Sequence, residues 1–147
     1  MTRKYGAGKE SDIKDRWAVA TLSGNANIVT ANTHANCKVF SWLNPEAADI
    51  MVDKVIMEIT TSGGTDTSTL DVGVSSNIDD AGNIGDEFLD GVATNTAVGV
   101  YCVEAAGDMA ANVPQNSYVG GKFMTSNANA DASTLAGKVY IHYLVKD

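Results

Sequence analysis

Apolar and polar residues alternate with a period of two through most of this chain. In KVIMEIT, Val55, Met57 and Ile59 fall on one face while Lys54, Glu58 and Thr60 fall on the other, because successive strand side chains point to opposite sides. Leu70, Val72 and Val74 repeat the pattern in LDVGV. Gly63 and Gly64 lie between the two runs and can take the positive backbone angles of a reversal. The pattern predicts an antiparallel hairpin over residues 53–75, with one oily and one wet face.

The same reading applies along the rest of the chain. WAVATL and NIVTAN look like short strands joined by SGNAN as a turn. CKVFSWL is a strand with Val39 and Ser41 opposite Lys38, Phe40 and Trp42, and Asn44-Pro45 ends it, since proline cannot donate to a ladder. NIDDAGNIGDEFLDG reads as a polar loop with a short apolar piece at Phe88 and Leu89, and AGDMAANVPQNS as a polar connection. TAVGVYCVEA and SYVGGKFMT are strands, with Gly120-Gly121 marking a bulge or a close approach. In GKVYIHYLV, Val139, Ile141, Tyr143 and Val145 oppose Tyr140, His142 and Leu144. Cover on both faces predicts a central strand or a contact between subunits.

About eight short strands, polar links and no helix of ordinary length predict an all-β fold. The expected architecture is an antiparallel β-sandwich, jelly-roll-like, over residues 17–147. Residues 1–16 are polar, carry no sustained apolar period and read as an extended N-terminal arm. Fixing sixteen residues costs on the order of 16 to 30 kcal/mol, so an ordered arm needs a partner surface.

Charge adds a second division. The net charge is −8, but the arm holds Arg3, Lys4, Lys9, Lys14 and Arg16 against Glu10, Asp12 and Asp15. Five cations against three acids leave the arm at +2, and five against fifteen leave the body at −10. So acidic a body repels a phosphate backbone, which argues against a nucleic-acid partner. No run reaches the ~20 apolar residues of a membrane span, and the first residues lack the apolar core of a secretion signal. Use without export is expected, and no membrane partner.

Candidate chemistry is sparse. Cys37 and Cys102 match no zinc spacing; two free, partly buried thiols are expected, with a disulfide left open. His34 lies in a polar turn, and His142 is expected to pack between Tyr140 and Leu144 on a strand. Asp79, Asp80, Asp86, Glu87 and Asp90 form the one cluster with metal-ligand chemistry. Ala81 and Ile84 break the EF-hand template there, so a solvated acidic loop is expected rather than a calcium site. No nucleophile elbow, phosphate loop or zinc-protease motif appears, and no carboxylate pair stands out as a glycosidase dyad. No catalytic residue, cofactor or metal is assigned. Aromatic residues are too few at the loop tips to make an evident sugar platform, and Trp42 reads as core.

FSWLNPEAADIMVDKVIMEITTSGGTDTSTLDVGVS, the segment FLDGV and the closing strand GKVYIHYLV resemble small structural proteins of tailed bacteriophages. The likeness spans about half the chain and is one of strands and turns. It implies a jelly-roll-like head decoration (cement) protein, without enzymatic activity, on the outer surface of the virion. Such a protein is assembled in the host cytoplasm, bridges capsomers by binding the major capsid protein, and forms a homotrimer. Arg3, Lys4, Lys9, Lys14 and Arg16 are the arm residues expected to dock. A tail or baseplate component, or a host-glycan-binding module on the same fold, is the alternative.

Overall fold

The computed structural model describes residues 13–26, 38–63, 68–77, 83–93, 98–102, 110–125 and 133–146. Nine strands appear among them: β1 Ile13–Ala26, β2 Lys38–Leu43, β3 Ile50–Gly63, β4 Ser68–Ser75, β5 Leu89–Ala93, β6 Gly99–Cys102, β7 Ala111–Val113, β8 Tyr118–Thr125 and β9 Ser133–Lys146. None of the described residues is α-helical. One sheet has the order β1-β9-β3-β6, with β7 pairing the start of β3, and the other has the order β2-β8-β4-β5. All pairings are antiparallel.

If β7 is set aside, the ribbons β1–β9, β2–β8, β3–β6 and β4–β5 nest inside one another and alternate between the sheets. That is the double Greek key of a jelly roll. The all-β sandwich expected from the alternation is therefore the observed fold.

β9, β3 and β4 each turn one apolar set inward. Val139, Ile141, Tyr143 and Val145 of β9 are buried, as are Val52, Val55, Met57 and Ile59 of β3 and Leu70 and Val72 of β4. A one-residue slip of β9 would send Tyr140, His142 and Leu144 into the core instead. Burying one such aliphatic side chain contributes roughly 1.5 to 3 kcal/mol, so the register is strongly selected. β9 lies between β1 and β3, the central position its two-sided cover predicts. Trp42 is half-buried against Tyr143, ring centroids 5.2 Å apart.

Several expectations are corrected. The β3 and β4 strands do not form a hairpin, because they lie in different sheets. Alternation reports which face of a strand is apolar, not which strand lies beside it. Nor is the second face of β4 wet, since Asp71, Gly73 and Ser75 are buried. SGNAN does not turn at its start: Ser23, Gly24, Asn25 and Ala26 continue β1 and pair with Ala136, Leu135, Thr134 and Ser133. The β1 strand also begins at Ile13, before the boundary expected after residue 16. Two short strands, β5 and β7, lie where loop and polar connection were expected. NIVTAN, His34 and Cys37 lie outside the described residues.

Gly121 is a close-approach point, as expected. A Cβ there would sit 2.5 Å from a ring carbon of Phe40, and the β2–β8 register shifts between Lys38 and Phe40, alongside it.

Candidate interaction surface

The apolar period of β3 slips once. Ile50 and Val52 are buried, and so are Val55, Met57 and Ile59, which requires an extra residue between Val52 and Val55. The β3–β9 register shifts there, between Val52 and Lys54. A bulge of this kind places two residues opposite one and re-aims a side chain. Here it brings Asp53 to the outer face, beside His142 of β9.

On that face His142 Nδ1 meets Asp53 Oδ1, and His142 Nε2 meets Asp15 Oδ1 of β1. An imidazole facing an acceptor on each nitrogen satisfies both only by carrying both protons. Burial lowers the His142 pKa, but the hydrogen bonds to Asp53 and then Asp15, with their charges, outweigh it and raise the value above 6.5. Trp17, the cross-strand neighbour of His142, tilts against the ring with centroids 4.7 Å apart. The imidazolium thus clamps the edge strand β1 to β9 and β3.

Around this clamp the outer face is unusually apolar for a solvated sheet. Trp17 is 55% exposed, Val19 59%, Met51 42% and Val100 70%, and Ile56, Tyr140 and Leu144 are half-buried among them. An antiparallel sheet facing water ordinarily turns polar residues outward. Tyr140 donates its hydroxyl to Glu58 Oε2 at 3.1 Å.

The expected arm residues divide. Arg3, Lys4 and Lys9 lie outside the described residues. Lys14 and Arg16 belong to β1. Arg16 Nη1 donates to Glu46 Oε1 at 2.8 Å, and the Tyr143 hydroxyl donates to the same oxygen at 3.1 Å. Arg16 is thereby tied to the turn after β2. Its charge is engaged within the chain.

The acidic loop is also partly structural. Glu87 Oε2 accepts the Val74 amide at 2.8 Å and leaves no room for a side chain at Gly73, whose Cβ would lie 2.2 Å from it. Asp71 accepts the Gly91 amide at 3.0 Å. Asp86 and Asp90 are exposed, and Asp79 and Asp80 lie outside the described residues.

An open groove of about 470 Å³ separates the edges of β1 and β2, lined by residues 19–21 and 38–42. Its lining contains Lys38 and the Thr21 and Ser41 hydroxyls but no acid, histidine or cysteine.

The molecule is a jelly-roll β-sandwich with an apolar, clamped outer face. No family model matches the chain, and no curated protein sequence does. Among solved structures, it resembles a chain described as the capsid of Ralstonia phage GP4, with a TM-score of 0.54 and 17% identity over 92% of this chain and 85% of that one. That likeness is one of fold.

Proposed function

We propose that this protein is a non-enzymatic structural component of a phage virion. In this reading it decorates the outside of the capsid as a homotrimer, bridging capsomers through the major capsid protein. The observation that carries the reading is the fold likeness to the phage GP4 capsid chain across 92% of this chain. It is supported by the phage-like strand-and-turn pattern around Asn44-Pro45 and the Asp90-Gly91 segment. Repeated contacts on a shell gain from avidity, so each protomer need bind only modestly.

Docking is proposed for Arg3, Lys4 and Lys9 of the arm together with Lys14 and Arg16 of β1, of which Arg16 is also held by Glu46. The test is occupancy on particles assembled without this protein and then mixed with purified chain. Wild type should saturate the particle surface. Removing residues 1–12, which spares all of β1, should lower occupancy while the unfolding midpoint holds. Unchanged occupancy would refute docking by the arm, and labelling confined to the tail would replace the head reading with the tail one.

A further inference from the structure

We infer that the outer face of the β1-β9-β3-β6 sheet is a self-association surface whose occupant is a second copy of this chain. The inference rests on the homo-oligomeric part of the proposed function and names the surface that would carry it.

Two properties meet on this face. The first is exposed apolar area, centred on Trp17, Val19, Met51 and Val100. Four strands about 4.8 Å apart and six or seven residues at about 3.3 Å each make a face roughly 19 Å by 20 Å, on which these four are the large exposed apolar side chains; even the largest apolar patch on a monomer, a few hundred Å², is often functional.

The second is charge. Among the residues whose side chains are described, Asp15, Asp53 and Glu58 on this face are matched by Lys54, Lys138 and the His142 imidazolium. The chain as a whole carries −8, so most other surfaces would bring like charge to an approaching copy. This face would not.

The face is also held in one geometry before any partner arrives. β1 pairs with β9 from Ile13↔Lys146 to Ala26↔Ser133 without a register shift, and His142 straps β1 to β3 as well. Little ordering cost then remains to be met on association.

The experiment is sedimentation velocity of the full chain over a wide concentration range at about pH 6, where the imidazolium is formed. Val19→Glu and Val100→Glu each add a charge at an exposed position of the face. Ser41→Glu adds the same charge at an exposed position of the other sheet. Equal urea midpoints establish that all three variants fold. Wild type should form a discrete oligomer, each face variant should weaken it at least tenfold, and Ser41→Glu should leave it unchanged. An oligomer indifferent to both face variants would overturn this surface but leave the homo-oligomer reading standing. A wild type that stays monomeric would overturn both and leave the face to the arm or to a capsid protein. Particle occupancy, measured separately, decides the capsid reading independently of either result.

Discussion

Asn44 and His142 each tie together segments far apart in the sequence, and they use opposite chemistry. Asn44 is neutral and 4% exposed. Its side-chain amide donates to the carbonyls of Ala48, Val113 and Pro114 at 3.0, 3.1 and 3.2 Å, while its Oδ1 accepts the Glu46 amide at 2.9 Å. Its backbone amide adds a bond to Ser117 at 2.9 Å. One uncharged side chain thereby joins the end of β2 to the segment between β7 and β8. His142 joins β1 to β3 only while it is charged, and its partner Asp15 is exposed to water. The buried amide is indifferent to pH and costly to remove, because the Val113 carbonyl it serves is buried. The surface imidazolium is adjustable, and water replaces much of what it supplies.

The largest effect should come from cutting the buried knot. Asn44→Ala removes the side-chain donor to the buried Val113 carbonyl and to the part-buried Ala48 carbonyl and should cost about 3 kcal/mol, a large part of a typical domain stability of about 5 to 15 kcal/mol. Urea unfolding measures it; a loss below about 1 kcal/mol would mean that water reaches these carbonyls. Gly121→Ala comes next. Its methyl collides with the Phe40 ring, for an expected loss of about 2 kcal/mol, and Phe40→Leu in the same chain should recover part of it.

The charged clamp should give a smaller, pH-dependent effect. The His142 pKa is raised in the folded state, so its stabilisation is complete below the unfolded value of about 6.5 and declines as pH rises through the folded value. Between about pH 6 and pH 9 wild type should lose up to about 1 kcal/mol more than His142→Asn does. Equal slopes for the two proteins would contradict the clamp. Arg16→Ala should be the mildest, about 0.5 kcal/mol and smaller still in high salt. A salt-independent loss would point to packing of the Arg16 stem instead.

The buried face of β9 was legible in the sequence, whereas that of β2 was not, because a register shift buries both Val39 and Phe40 and leaves Ser41 exposed. Val139, Ile141, Tyr143 and Val145 lie inside as their spacing predicts, and Asn44-Pro45 does end β2. Neighbours were not legible, because alternation carries no information about pairing, and so β3 and β4 read as a hairpin. Strands of three to five residues such as β7 and β5 are too short to establish a period. The His142 clamp was missed for a related reason. Asp15 read as arm, and only the pairing of β1 with β9 brings it to His142. One signal was present: the buried positions 50, 52, 55, 57 and 59 break step at Asp53, and that break marks the bulge. The outer apolar face was hidden because Trp17, Val19, Met51 and Val100 come from different strands and join only when the sheet forms.

The pairing of β1 with β9 also bears on how the chain reaches this fold. β1 is among the first of the described segments to be synthesised, yet its only ladder partner is the last. Until β9 emerges from the ribosome, fourteen residues of β1 present backbone donors and acceptors with no partner strand, next to an exposed Trp17. Contacts between segments so far apart close slowly, since loop entropy is lost before any ladder bond repays it. The β1-β9-β3-β6 sheet should therefore close only once β9 has been made, and crowded nascent chains should be at their most aggregation-prone just before β9 emerges.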